Sequence, residues 1–387
     1  FSVGKNPKPS DFDINIEGLR LNKVISVIGA NGSGKTQYIK VIAFLKWFMT
    51  SSLLGIEPDD LLPYSAHKLH LLEDSNFELE FIKSGVTYKY QLTLNAGQVI
   101  SEALYKKTSS QYSYIFKRER NSDSTDLHSA DNQAEHYHFK QKGFAFPKNK
   151  AQSLRSNTSL IAAAYSYDVK EAQSFIEYFQ KISTNVASSG RHHFQHESLF
   201  KAAAIYEEKP DLKKKMIELM CRFDLGLSNV SIEQVEAADV NGKNQKRFIP
   251  VGHHAADNGG EFSLSFLEES SGTQSSFVLI EKLLMVLEFG GIAVIDEIDN
   301  DLHPHLIPEL IERFRFEHTN PHQAQLIFNC HSAEILNRLQ KHQVYLCEKQ
   351  TLCSEAWRLD EMTGLRADDN LYAKYMAGAL GAVPDIS

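Results

Sequence analysis

Residues Gly29 to Thr36 read Gly-Ala-Asn-Gly-Ser-Gly-Lys-Thr, a complete G-x-x-x-x-G-K-[ST] run. No other feature of the chain constrains its fold as much, because such a run works only between a buried strand and the start of a helix. The apolar stretch Val24-Ile25-Ser26-Val27-Ile28 predicts the strand, and Gln37 to Met49 predicts the helix, with Ile39, Ala43 and Trp47 on its buried face. Glycines let the backbone wrap closely, so that N–H groups point at phosphate oxygens. The helix adds its positive N-terminal end. Lys35 is placed to reach the β- and γ-phosphates and Thr36 to bind Mg²⁺. Gly29, Asn31, Gly32, Ser33, Gly34, Lys35 and Thr36 are therefore candidate contacts for a nucleoside triphosphate, ATP or GTP.

Composition narrows the partners. The formal net charge is −8, so no global basic excess favours nucleic acid. The longest apolar candidate, Leu279 to Gly291, is interrupted by Glu281, Lys282 and Glu288, short of the roughly 20 residues a membrane span needs. Cys221, Cys330, Cys347 and Cys353 form no C-x-x-C pair, which predicts free thiols in a reducing, cytoplasmic setting.

The hydrophobic period changes twice along the chain. Residues 10–36 read as strand, turn, strand and phosphate loop. From Phe77 the period is two: Phe77, Leu79 and Phe81, then Tyr88, Tyr90, Leu92 and Leu94, then Tyr114 and Phe116, which predicts an antiparallel meander. Residues 119–135 are polar and read as an exposed loop. Ala172, Phe175, Ile176, Phe179 and Ile182, and again Leu212, Met216, Leu219 and Phe223, have helical spacing. Ser188 to Glu197 reads as a linker, and residues 229–268 as short strands. From 271 onward helices and strands alternate, as in a parallel sheet covered by helices. The expected organisation is two distant segments, about 1–50 and 260–350, forming one α/β core. As domains, this gives an N-terminal half at 1–165, a helical insertion with short strands at 166–260 and a C-terminal half at 261–387.

Three further runs complete a nucleotide site. Ile292-Ala293-Val294-Ile295-Asp296-Glu297 is a buried strand delivering two acids at its C-terminal edge. Asp296 is a candidate Mg²⁺ ligand, and Glu297 a candidate to position or deprotonate the attacking water. His303 precedes Pro304, which suits the first turn of a helix with Leu306, Ile307, Leu310, Ile311 and Phe314 inward; His303 reads as capping or packing rather than metal binding. Leu326-Ile327-Phe328-Asn329-Cys330-His331-Ser332 ends a strand in a histidine able to donate to a γ-phosphate. Ser270, Ser271 and Gly272 open a long amphipathic helix, either as an ordinary cap or as a second phosphate-receiving N-terminus. A chain with one phosphate loop rarely needs another, so this helix is expected to serve ATP held by a second copy.

The order Gly29–Thr36, Glu269–Thr273, Asp296–Glu297 and His331 resembles the ABC-type ATPases of the SMC and RecF group. Ser270-Ser271-Gly272-Thr273 departs from their usual L-S-G-G-Q. It is similar instead to the E-S-x-G-T of bacterial AAA-type ATPases in overcoming-lysogenization (OLD), RloA, Septu and PARIS anti-phage loci. The run Asp296–Pro304 and the tail Tyr372, Tyr375, Gly378, Gly381-Ala382-Val383-Pro384 resemble the same subgroup, whereas residues 120–260 do so weakly and the lobe-joining Gln of ABC enzymes finds no match. The resemblance implies an α/β fold, a P-loop NTPase with an ABC-type ATPase head, an antiparallel β-subdomain and an inserted helical lobe. It implies ATP and Mg²⁺ as cofactors, with Lys35, Glu297 and His331 catalytic, Thr36 and Asp296 on the metal, and Ser270, Ser271 and Gly272 closing on ATP across a homodimer or higher homo-oligomer. It further implies a sensor or scaffold that restrains a separately encoded TOPRIM-type nuclease until a phage-encoded trigger protein appears. The stretch after His331 is too short for an appended nuclease of ordinary size.

Two other functions stay open. One is a DNA-gripping ATPase of repair or chromosome maintenance, and the other a nucleotide-locked scaffold with negligible turnover. Phe116-Lys117-Arg118-Glu119-Arg120 and His136 to Lys150 mix basic and aromatic residues, as a nucleic-acid or protein trigger site or a plain strand edge would. Lys213-Lys214-Lys215 reads as a solvated helix face, and Arg191-His192-His193-Phe194-Gln195-His196 as a polar loop rather than a zinc site.

Overall fold

Five apolar-to-small residues in a row suit a strand covered on both faces, and Val24–Ile28 is buried throughout in the computed structural model. The structure describes the chain except residues 5–6, 96, 122–135, 193, 224–225, 239–243, 256–258, 303–305, 367 and 384–387. His193, His303, Pro304, Pro384 and most of the polar 119–135 loop therefore lie outside the described residues. Contacts group the chain into two compact units, Phe1–Ile39 with Ser183–Ser387, and Lys40–Ile182.

The first unit is built on a six-stranded sheet. Its order is Cys353–Arg358, Val344–Gln350, Val24–Ile28, Gln325–Asn329, Ile292–Ile295 and Ile182–Thr184. Val24–Ile28 pairs in parallel with Gln325–Asn329 on one side and Val344–Gln350 on the other. Ile292–Ile295 runs parallel to Gln325–Asn329, while Cys353–Arg358 returns antiparallel at the edge. The two distant segments thus form one sheet, and the phosphate-loop strand lies between strands contributed by the C-terminal one. Between Gln325–Asn329 and Val344–Gln350 the expected helix is replaced by two 3-10 turns, Ala333–Asn337 and Lys341–Gln343.

Helices Ser271–Phe289 and Ile307–Arg315 bury the faces their spacing predicts, Phe277, Ile280, Leu284 and Leu287 in one and Ile307, Leu310, Ile311 and Phe314 in the other. The latter helix carries Pro308 in its first turn. Helices His196–Glu208 and Pro210–Phe223 and the antiparallel strands Leu227–Ala238, Asn244–Ala255 and Glu261–Ser265 complete this unit. Two of these strands are 12 residues long, not short. Leu199, Met216, Leu219 and Val230 share one hydrophobic core with Leu283 and Ile311. That shared core joins residues on both sides of 260/261 within the first unit, whose boundaries fall at 39/40 and 182/183. Lys213 pairs with Glu207 at 2.7 Å and Lys215 with Glu288 at 2.5 Å, so the lysine run is a solvated, acid-paired face.

Ser188–Glu197 is not a linker. Gly190–Arg191 pairs with Val186–Ala187 as a small hairpin, and a helix begins at His196. Strands of two residues carry no periodic signal, which is why the sequence hides them.

The second unit holds the meander as five antiparallel strands, Ser75–Lys83, Val86–Asn95, Gln98–Thr108, Gln111–Arg120 and Tyr137–Gln141. Arg118, in the run read as a trigger site or a plain strand edge, is 0% exposed. Its Nη2 lies 2.7 Å from Glu102 Oε2. Glu102 also accepts from Tyr90 Oη at 2.8 Å, Ser159 Oγ at 2.8 Å and Leu160 N at 2.9 Å, tying the sheet to the start of helix Leu160–Tyr165. Removing one partner of such a buried pair leaves an uncompensated charge. Arg118→Leu is expected to destabilise this unit by about 3–5 kcal/mol in urea melts, and adding Glu102→Gln to recover part of the loss. A loss well below 1 kcal/mol would contradict the pairing. Among the described residues no helix is long and apolar enough to cross a membrane.

Candidate nucleotide site

The loop after Val24–Ile28 needs its glycines for two distinct reasons. At Gly29 a Cβ would lie 2.0 Å from the Cys347 carbonyl oxygen, so the neighbouring strand excludes any side chain. Gly32 and Gly34 have φ of 75° and 103°, the left-handed region that favours glycine. The loop feeds helix Lys35–Ser51, whose first N–H groups carry the partial positive charge that favours phosphate.

Lys35 is 6% exposed. Its Nζ donates to Gly29 O at 2.9 Å and Ala30 O at 3.1 Å, which holds the ammonium inside the loop. Burial lowers the Lys35 pKa from its ordinary value, opposed by nearby negative charge. Burial also raises the thiols on either side, Cys330 to about 12 and Cys347 above its ordinary value. Both stay protonated at neutral pH, so the opposing charge comes from Glu297 and Asp296. A desolvated cation at the N-terminus of a helix suits a polyanion such as a triphosphate.

Thr36 Oγ1 lies 2.9 and 3.0 Å from the two carboxylate oxygens of Asp296, which is 1% exposed. A hydroxyl and a carboxylate are hard oxygen donors. Mg²⁺ is usually held by one or two such groups together with phosphates, so the pair fits Mg²⁺. Among the described residues no group of three or more His, Cys, Asp and Glu is arranged to hold a metal.

Two asparagines hold the acids in place. Asn329, the last residue of Gln325–Asn329, donates through Nδ2 to Asp296 Oδ1 and accepts from Glu297 N at 2.6 Å. Asn185 accepts from Asp296 N at 2.7 Å and donates to Asp296 O at 2.9 Å. Glu297 takes a left-handed backbone, φ 50° and ψ 58°, which ends the strand and starts the short helix Ile298–Asp301. Its Oε2 accepts from Asn300 Nδ2 at 2.6 Å and faces Arg191 Nη1 at 3.3 Å; its Oε1 lies 3.5 Å from His331 Nε2. Asp299 Oδ2 accepts from His331 N at 2.8 Å and Ser332 N at 3.1 Å, fixing the histidine turn.

Lys35, Thr36, Asp296, Glu297 and His331 are thus brought to the same ends of three adjacent parallel strands. Ser270, Ser271 and Gly272 are not part of that network. Ser270 caps its helix by accepting from Thr273 N at 3.1 Å, and all three residues are exposed. Behind them Glu269 pairs with His254 at 2.7 Å.

The tail also reaches the loop. Ala30 N donates to Ala382 O at 3.1 Å, and Tyr375 Oη donates to the same carbonyl at 3.0 Å. Asn185, Arg191, Asn329, Asp299 and Ala382 were not foreseen as site residues. Only Asn329 carries a local signal, a polar residue closing an apolar strand.

Strand order, phosphate loop and paired acids together define an α/β P-loop nucleotide-binding protein. The chain belongs to the family described as "AAA domain, putative AbiEii toxin, Type IV TA system", which matches residues 24–337. No curated protein matches its sequence. Among solved structures the chain is similar to an SmcHead bound to the C-winged helix domain of ScpA, at 11% identity over 89% of this chain and 93% of that one, with a TM-score of 0.42. It is also similar to an Smc head domain with an extended coiled coil bound to the C-terminal domain of ScpA, derived from Pyrococcus furiosus, at 10% identity over 89% and 92%, with a TM-score of 0.36.

Proposed function

We propose that this chain hydrolyses ATP with Mg²⁺ and uses the cycle to run an anti-phage, abortive-infection system as its sensor and scaffold. The observation that carries the hydrolytic part is the unbroken set of contacts from Thr36 through Asp296, Asn329 and Glu297 to His331. Thr36 and Asp296 hold the metal, and Lys35 grips the β- and γ-phosphates. Glu297 takes the proton of the attacking water, and His331 donates to the γ-phosphate.

Two copies close head to head. Exposed Ser270, Ser271 and Gly272, at the N-terminus of the 19-residue helix Ser271–Phe289, face the ATP held by the partner copy. The output is carried by a separate TOPRIM-type nuclease, released when a phage-encoded trigger is sensed. In this reading the chain is an AriA-like ATPase of a PARIS system, with an AriB-like effector. The family description, which speaks of a toxin and a toxin–antitoxin system, agrees with a defence role. The DNA-gripping alternative loses one of its basic candidates, because Arg118 is spent inside the second unit.

A mixing experiment tests the shared site. Ser271→Arg is expected to bind ATP normally and to lose nearly all turnover. Mixed with Lys35→Ala, itself inactive, it is expected to regain about one working site per mixed dimer. No recovery on mixing rules out the trans arrangement. Co-purification of the tagged chain with and without ATP, read by nuclease activity, tests the effector.

A further inference from the structure

The hairpin formed by Val186–Ala187 and Gly190–Arg191 lies against the acidic strand end, and nothing in its sequence announces a role. Asn185 enters the hairpin and is fixed to the Asp296 peptide by two hydrogen bonds of 2.7 and 2.9 Å. Thr184 Oγ1 accepts from Val186 N at 3.0 Å and sets the first turn. On the return leg His192 N donates to Asn185 O at 2.8 Å, which closes the hairpin next to Arg191. Both legs are therefore registered to the acidic strand, and the Arg191 guanidinium arrives 3.3 Å from Glu297 Oε2.

We infer that Arg191 is a positioning residue for ATP hydrolysis, acting through Glu297; this rests on the hydrolytic reading above. The two carboxylate oxygens of Glu297 have different surroundings. Arg191 and Asn300 both engage Oε2, whereas Oε1 points to His331 Nε2 at 3.5 Å. With Oε2 committed, the carboxylate cannot rotate freely, and Oε1 is the oxygen presented to water. In the step it serves, a water oxygen forms a bond to the γ-phosphorus while the bond to the bridging oxygen breaks. That electron pair leaves with ADP, and the water proton goes to Oε1. Without the Arg191 contact Oε2 is held by the neutral Asn300 amide, a looser hold that lets the carboxylate turn, and misplacement of a reacting group lowers the chemical step without weakening substrate binding.

Steady-state ATP hydrolysis by the full chain, read as phosphate release, tests this. Arg191→Ala is expected to lower kcat by about tenfold or more, with KM for ATP unchanged within about twofold. Arg191→Lys is expected to recover part of the loss, because the cation returns without the planar fork. A merely structural contact would not give this split or this rescue. If Arg191→Ala melts at the assay temperature, Arg191→Gln and Arg191→Lys carry the same comparison. Wild-type turnover with kcat unchanged or raised in the variants overturns the assignment of Arg191 alone. So does a rise in KM at constant kcat, which would make Arg191 a nucleotide contact. Nucleotide binding without turnover in the wild type overturns the hydrolytic reading and this inference with it.

Discussion

Lys35→Ala is expected to weaken ATP binding by about 100-fold or more. In the structure the ammonium is enclosed by the loop, bonded to Gly29 O and Ala30 O. With triphosphate present the ammonium N–H donors are in reach of phosphate oxygens. A hydrogen bond between charged groups contributes about 1.5–3 kcal/mol. Two of them, one to each of the outer phosphates, give at least about 3 kcal/mol, or two powers of ten in Kd. Screening at ordinary salt removes little of this, because buried groups are screened far less than surface pairs. Titration with a fluorescent ATP analogue reads the effect, and a thermal melt without nucleotide checks that the loop still folds. Tight ATP binding by the variant would show that the loop is not the phosphate site.

Glu297→Gln is expected to separate binding from chemistry. The glutamine amide keeps the shape of the side chain and an oxygen for Asn300 Nδ2, which now donates to Glu297 Oε2 at 2.6 Å. It loses the proton acceptor and the charge that faces Arg191. General-base assistance is worth about 100- to 10,000-fold, so kcat is expected to fall by about 100-fold or more while the Kd for ATP stays within about threefold. The variant should then accumulate in its ATP-bound form, and size-exclusion chromatography with ATP should show the proposed homodimer more strongly than in the wild type. Unchanged phosphate release would remove Glu297 from the mechanism.

These two residues were open to sequence reading because the runs that carry them are short and contiguous. The loop from Gly29 to Thr36 carries its turns, its cation and its helix start within eight consecutive residues, and its glycine requirements are visible as glycines. Ile292–Ile295 and Gln325–Asn329 are legible as buried strands because parallel strands covered on both faces read as unbroken apolar runs. The meander was legible for the opposite reason: its strands alternate, one face in and one face out.

Arg118 shows where that reasoning fails. A charged residue in an alternating strand reads as solvent-facing, and only the meeting of Glu102, Tyr90 and the start of a helix makes its burial tolerable. The hairpin after Ile182–Thr184 fails for another reason. Its pairing strands are two residues long, and its partners, Asp296 and Glu297, lie more than 100 positions away.

The sequence alone determined that a triphosphate loop exists, that two acids and a histidine end buried strands, and that two distant segments share one α/β core. Each follows from short-range chemistry: backbone freedom at glycine, apolar periodicity, and polar residues placed where an apolar run stops. Only the tertiary structure decided that Asn329 bridges Asp296 to Glu297, that Asn185 and Arg191 clamp the same acids, that Asp299 fixes the His331 turn, and that the Ala382 carbonyl takes the Ala30 N–H. Those contacts depend on strand order, and strand order is set by which buried faces fit together across hundreds of residues rather than by any neighbouring side chain.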